Sequence, residues 1–464
     1  MTYQKGTPMS SPFQTPIGRR SLLGILGAAG GAMALSACGG PSVTTGSGGA
    51  TTASADVDFT NVKPADSIDF WSSHPGQSQE IEKTLVAKFE AEHKIKVNLI
   101  TAGANYEEIA QKFQTAQAAK SGLPGVVVLS DVWWFRYFVD KTIIPLDSAI
   151  KKLEWELTDY QDSLVKDYQY GGKQWAMPYG RSTPLFYYNK DHFKAAGLPD
   201  RAPETWDEFA EWAPKLKAAN GSLSGYVNAF QHPALAGYAG WTTQNLLWGN
   251  GGEWSKEFDI TCDSDAAVKT FQWMQDSIHV GKWAGVSSKD ASQDLASGAV
   301  SATLSSTGSL VGVQKVAKFN LGVGFLPGGS VSKSPVCPTG GAGLGVPSAI
   351  TPEQQLAAAM FIKFVGQPEN TAAFSAATGY MPNRKSADMS AVLAKNPLIQ
   401  TAMDQLKVTR TQDYARVFLP GADQEMAKAA AAVLNEKKDP KASLTTLKTT
   451  LEGIYNNQIK PKLG

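Results

Sequence analysis

The chain has 464 residues, of which 42% are hydrophobic and 18% charged, and a formal net charge of +1. That length and apolar content require two or three globular units, and 12 Trp with 14 Tyr exclude global disorder. The near-zero charge excludes the basic excess of a nucleic-acid binder, while 3 Cys and 5 scattered His exclude a disulfide scaffold and a recognisable metal-ligand spacing.

In chain order, Arg19-Arg20 precede an apolar run from Leu22 to Leu35, 14 residues long. A membrane-spanning helix needs about 20 residues, so 1–37 is predicted to be a signal peptide. The run ends in Leu35-Ser36-Ala37-Cys38, the pattern of a lipobox, which predicts lipidation at Cys38. The alternative is an ordinary signal followed by a chance Cys. Arg19-Arg20-Ser21-Leu22-Leu23 is similar to a twin-arginine signal. Removing Lys5, Arg19 and Arg20 with this segment leaves 40 basic and 42 acidic residues, a net of −2. Residues 38–66 are mostly Gly, Ser, Thr and Ala, which bury too little to repay their ordering entropy. They are predicted to be a flexible tether between lipid and domain. A protein held outside the membrane has no ATP and no cytoplasmic substrate.

Ile68 to Trp71 reads as a strand, and Ile81, Leu85, Val86 and Phe89 give Gln79 to His93 a helical spacing. Lys96 to Ile100 is a second strand, and Tyr106 to Ala119 a second helix. The unbroken apolar run Val126 to Leu129 suits a buried parallel strand. The pattern restarts with a strand at Leu185 to Tyr188, a short helix at Lys190 to Ala196, and a helix at Trp206 to Ala219 capped by Thr205. Further helices are predicted at Ala266 to Val280, Pro352 to Val365, Ala427 to Leu434 and Leu444 to Gln458, with strands at Phe319 to Phe325 and Gly343 to Val346. Strands alternating with helices predict an α/β chain of two lobes with mostly parallel sheets.

Several strings carry a family resemblance: Phe70-Trp71-Ser72-Ser73-His74, Ser182-Thr183-Pro184-Leu185-Phe186-Tyr187-Tyr188-Asn189-Lys190, Ser306-Thr307-Gly308-Ser309-Leu310, Gly340-Gly341-Ala342-Gly343, Thr378-Gly379-Tyr380-Met381-Pro382 and Asp413-Tyr414-Ala415-Arg416. With them, residues 68–464 resemble the extracytoplasmic solute-binding proteins that include maltose-binding protein. More narrowly, they resemble the glycerol-3-phosphate or glycerophosphodiester-binding subunits of ABC importers. The resemblance implies two discontinuous α/β lobes joined by a multi-strand hinge, the type II periplasmic-binding-protein-like fold. It implies lobe 1 from 67–181 plus 342–378, and lobe 2 from 182–341 plus 379–464, closing on a ligand between them. It also implies an ABC permease as partner, a membrane anchor through the N-terminal lipid, a monomer, no nucleic acid and no cofactor.

The residues themselves permit two readings at each candidate position. Ser306 opens an apolar-periodic segment and either caps a helix or cradles an anion. Gly341, in Gly340-Gly341, marks either a plain turn or a place where backbone approaches ligand. Asp131 follows the strand Val126 to Leu129, where open α/β sheets place ligand residues, though an Asp there also caps helices. Arg416 alone reads as a solvated or paired Arg. The resemblance assigns Arg416 and Ser182 to a phosphate, with Arg416 as the main anchor, and Asp131 to glycerol hydroxyls. Tyr106, Tyr380 and Trp241 are aromatic walls under the resemblance and core residues otherwise. Tyr238 stands in the least family-like stretch and is a selectivity candidate. If the ligand bears choline, its ring would hold the quaternary ammonium. Cys262 and Cys337 could bridge in an oxidising exterior, provided their Cα atoms are within reach. An oligosaccharide binder is the alternative within the class. A secreted phosphodiesterase is the alternative outside it, disfavoured because the sequence has no G-x-S-x-G elbow and no Asp/His cluster.

Overall fold

The structure is a computed structural model describing residues 56–234 and 236–463. The predicted signal peptide, Cys38 and the tether as far as residue 55 lie outside the described residues. Residues 56–66, also assigned to the tether, are instead laid on the body. Phe59 is buried, the Ala65 amide donates to Glu353 O at 2.9 Å, and Lys152 Nζ donates to Thr60 O at 3.1 Å. One buried aromatic and backbone pairing to the body outweigh a composition that resembles a linker.

Ten strands form two five-stranded sheets: β1 (Ser67–Ser72), β2 (Lys96–Thr101), β3 (Val126–Ser130), β4 (Met177–Ser182), β5 (Pro184–Asn189), β6 (Asn228–His232), β7 (Ala284–Val286), β8 (Val300–Ser306), β9 (Leu321–Gly324) and β10 (Gly340–Gly345). The first sheet runs β2-β1-β3-β10-β4 and the second β7-β6-β8-β5-β9. Each follows one plan, with three parallel strands, then an antiparallel strand arriving from the other sheet, then a final strand. Four of the five strands in each sheet therefore run the same way, as predicted, and the arriving strand alone is reversed. The chain leaves β4 at Ser182 and starts β5 after Thr183 alone. Pro184 therefore pairs with Ser306, the last residue of β8. Likewise Gly340 opens β10 opposite Ser182, and Ala342 pairs with Ser130 at the end of β3. A strand that enters a sheet at its cleft edge must run away from the cleft, against the strands that end there.

Helices cover both faces of each sheet and explain why β3 is buried throughout. On the first sheet, the Phe361 ring from helix Pro352–Val365 packs 5.3 Å from Phe70 and 5.1 Å from Phe89 of helix Gln79–His93. On the second, Phe186 of β5, Phe230 of β6 and Phe209 of helix Trp206–Asn220 share one aromatic core. Thr205 caps that helix, accepting from the Glu208 amide at 3.1 Å. Cys262 and Cys337 are both free, buried thiols. Cys262 Sγ faces Leu444 O and Cys337 Sγ faces Gln405 O, so the possible bridge is not formed. No helix among the described residues is long and apolar enough to cross a membrane.

Candidate binding site

Parallel strands bring their C-terminal ends together, and here the crossovers between sheets bring both sets of ends to one place. Between them lies a cavity of about 480 Å³. From the first sheet it receives the loop after β1, the start of helix Tyr106–Ala119, Asp131 just past β3, Ser182 and Gly341. The second sheet contributes Tyr238, Trp241, Asp290 and Ser306, and the last third of the chain adds Tyr380, Arg416 and Asp423. All nine residues singled out from the sequence, Tyr106, Asp131, Ser182, Tyr238, Trp241, Ser306, Gly341, Tyr380 and Arg416, line this one cavity.

Arg416 is 3% exposed, and five acceptors meet its five N–H donors. Nε and Nη2 fork onto Asp423 at 3.1 and 3.0 Å, Nη2 also reaches Gly237 O at 3.4 Å, and Nη1 donates to Asp131 Oδ2 at 3.1 Å and to Gln412 Oε1. Gln412 also donates to Asp131 at 2.6 Å and accepts from Gln244. The short helix Tyr414–Val417 that carries Arg416 is moored through Asp413, which accepts from the Trp254 amide at 2.7 Å and from Trp248 Nε1. Burial raises the Asp131 pKa, but the charges of Arg416 and Arg181 and the Gln412 donor outweigh it, and the carboxyl lies below its ordinary value. For Asp423, burial together with the nearby Asp131 charge outweighs Arg416, and the carboxyl lies above its ordinary value. Arg416 is thus held between two carboxylates, one of them in each half of the fold.

Ser306 caps, as one of its two readings allowed, and it also stands on the cavity wall. Its Oγ accepts from the Gly308 amide at 3.1 Å, capping the turn before helix Leu310–Val316. Gly341 has φ +99°, and a Cβ there would lie 2.0 Å from Gly180 O. No side chain is tolerated at that point, and its carbonyl accepts from the Asp131 amide at 3.0 Å.

Among the aromatics, Trp241 commits its indole N–H to Thr339 O at 2.8 Å, so only its ring serves the cavity. Tyr238 meets it edge-on with ring centroids 6.0 Å apart. Tyr380 stacks on Phe374. The Tyr106 hydroxyl is buried with no well-formed hydrogen bond among the described residues, and burial, with the neighbouring Tyr380 hydroxyl, lifts its pKa well above the ordinary range, so it stays a donor.

Sequence reasoning missed Glu107, Asp290 and Asp423, all of which line the cavity, and Arg181 behind it. Arg181 is fully buried, donates to Tyr168 Oη at 2.8 Å and pairs with Asp167. His74, within a recognised string but given no role, lines the cavity with its ring between Glu82 and Thr101. Asp290 is the N-cap of helix Ala291–Ala296. Nothing in its spacing announces a cavity.

Two α/β lobes joined at crossing strands, with a polar and aromatic cavity at the junction, define a hinged binding protein of the type II periplasmic class. A model of the bacterial extracellular solute-binding proteins matches residues 84–401, and the chain belongs to that family. UgpB from Mycobacterium tuberculosis, solved in complex with glycerophosphocholine, is 40% identical with a TM-score of 0.80, over 85% of this chain and 100% of that one. The sn-glycerol-3-phosphate-binding periplasmic protein UgpB of Escherichia coli K12 is 29% identical over 363 residues, 75% of this chain and 82% of that protein. Maltose-bound MalE3 of T. maritima, 23% identical over 84% of this chain and 100% of its own with a TM-score of 0.73, shares the fold.

Proposed function

We propose that this chain captures glycerol-3-phosphate or glycerophosphodiesters such as glycerophosphocholine in the interlobe cavity and hands them to an ABC permease without chemical turnover. The observation that carries the reading is the convergence of the nine residues on one cavity of about 480 Å³, in a chain 40% identical to a glycerophosphocholine-bound relative. In this reading Arg416, Ser182 and Ser306 serve the phosphate, with Gly341 admitting it close to backbone. Asp131 accepts from the glycerol hydroxyls, and the Tyr106 hydroxyl gains the acceptor it lacks. Phosphate takes over donors on Arg416 Nη1 as Asp131 turns to the hydroxyls, so one internal ion pair is exchanged for two ligand contacts. The lobes that close are 67–181 with 342–378, and 182–341 with 379–464. Lipidation at Cys38 tethers the protein at the outer face of the membrane.

A second reading, a neutral oligosaccharide, is favoured by one fact: every Arg416 N–H already has a protein acceptor. Calorimetry with glycerol-3-phosphate, glycerophosphocholine and maltotriose separates the two. Binding of at least one phosphorylated ligand but not maltotriose is expected, and the reverse would overturn the assignment. Free choline released on incubation with glycerophosphocholine would overturn the absence of turnover.

A further inference from the structure

The charged groups lining the cavity do not balance. Four carboxylates, Glu107, Asp131, Asp290 and Asp423, face a single guanidinium, that of Arg416. Asp131 and Asp423 share that cation. Neither Glu107 nor Asp290 takes part in an ion pair among the described residues. Lys289, next to Asp290, is exposed and makes no pair with it there. A phosphate monoester brings two negative charges into this setting and a plain phosphodiester brings one. Either adds repulsion unless the ligand also carries a positive charge.

Asp290 is the carboxylate placed to meet such a charge. One oxygen, Oδ1, accepts from the Ser292 amide at 2.9 Å and caps the short helix Ala291–Ala296. Oδ2 has no partner among the described residues. The residue is part-buried, and it shares the cavity wall with the Tyr238 ring, which Trp241 meets edge-on. Its charge, after burial, is among the influences that raise the Tyr238 phenol above its ordinary range. An aromatic face beside an uncompensated carboxylate is the pairing that holds ammonium groups: the ring attracts through its quadrupole, the carboxylate through its charge.

We infer that Asp290, with the Tyr238 ring, forms a head-group subsite selecting glycerophosphodiesters with an ammonium group, such as choline or ethanolamine, over phosphate esters without one. This rests on the reading that the cavity binds glycerophosphates, and adds to it the charge of the head group and the residue that reads it.

The test compares glycerophosphocholine with glycerophosphoglycerol, which shares the phosphodiester and ends in a neutral head group. Asp290→Asn removes only the charge, since Asn caps a helix as well as Asp. The full mature chain should bind glycerophosphocholine more tightly than glycerophosphoglycerol. Asp290→Asn should weaken glycerophosphocholine about threefold to tenfold, the range for a part-exposed charge contact. Its affinity for glycerophosphoglycerol should stay within about twofold of wild type or improve, as repulsion is relieved. Equal losses for both ligands, or none for either, would overturn the subsite while leaving the glycerophosphate reading intact. If wild type binds neither diester, that reading fails and the subsite with it. An unchanged melting temperature in Asp290→Asn ties the differential loss to the site. Glu107→Gln, assayed in parallel, should have the smaller effect on the choline ligand, and a larger one would move the subsite across the cleft.

Discussion

The charged groups around Arg416 and those around Asp290 belong to one cavity and are built in opposite ways. Around Arg416 every donor has an acceptor, and the side chains involved are buried. Around Asp290 a carboxylate is left without a cation beside an aromatic ring. Under the proposed reading, the first arrangement stores its own replacement for the ligand: the Asp131 carboxylate stands where phosphate oxygens would, and the guanidinium where hydroxyl donors would. The second holds charge in reserve. A buried internal pair is costly to break, because either partner alone is stranded, whereas a part-exposed unpaired charge is ready to use. Under the proposed reading, that contrast would orient a ligand with one anionic and one cationic end.

The largest effect should come from breaking the satisfied side. Arg416→Ala leaves Asp131 and Asp423 buried and unpaired, which costs about 3–5 kcal/mol when one partner of a buried pair is removed. A fall in melting temperature together with lost glycerophosphocholine binding is the expected result. Arg416→Lys keeps the charge but cannot fork onto Asp423 while reaching Asp131, and should lie between wild type and Ala in both measurements. A wild-type melting curve for Arg416→Ala would mean the network is not under load.

Gly341→Ala is next. It forces a side chain onto Gly180 O at a positive φ, and such strain costs about 1–3 kcal/mol before any shift of β10. Chemical denaturation should detect it, and the shift should carry into ligand affinity because Gly341 O holds the Asp131 amide. Asp131→Asn should weaken binding by about 1.5–3 kcal/mol, the range for a hydrogen bond to a charged group. It leaves the Arg416 to Asp423 fork in place, so its melting temperature should fall less than that of Arg416→Ala. Equal affinity for wild type and Asp131→Asn would take Asp131 out of the site.

The smallest effect is on pH dependence. Burial of Asp413 raises its carboxyl to about 6, against the donations from Trp254 and Trp248 and the Arg410 charge. A folded-state pKa above the unfolded value means the native state binds more protons between pH 4 and 6. Wild type should therefore lose stability relative to Asp413→Asn as the pH rises through that window, with no relative change below pH 4. Melting temperatures of the two proteins measured from pH 3.5 to 7 check the sign. The opposite slope would mean that Asp413 is ionised and stabilising in the mooring of the Arg416 helix.

Helices with one apolar face were legible from periodicity alone. Gln79–His93, Tyr106–Ala119 and Pro352–Val365 have the predicted bounds. The helix Ala239–Gly249, which carries Trp241, was not, because all eleven of its residues are buried and no polar face marks a period. Strand β4 was missed for a similar reason: Met177–Ser182 contains Pro and Gly, does not alternate, and is buried at every position. Site residues inside recognisable strings, such as Ser306, Gly341 and Tyr380, could be named from the resemblance. Asp290 and Asp423 could not, because a carboxylate at a helix start looks the same whether it faces water or a cavity.

What the sequence determined by itself was the export pattern as an expectation, the alternation of strands and helices, and the identity of the polar groups available. Tertiary structure decided how those groups share their charge. Asp131 and Arg416 are 285 residues apart and 3.1 Å from each other, and Asp423 competes for the same guanidinium. Hydrogen bonds and ion pairs act over a few ångströms, so their partners are set by where the crossovers between the two sheets deliver the chain, and local spacing carries no record of that.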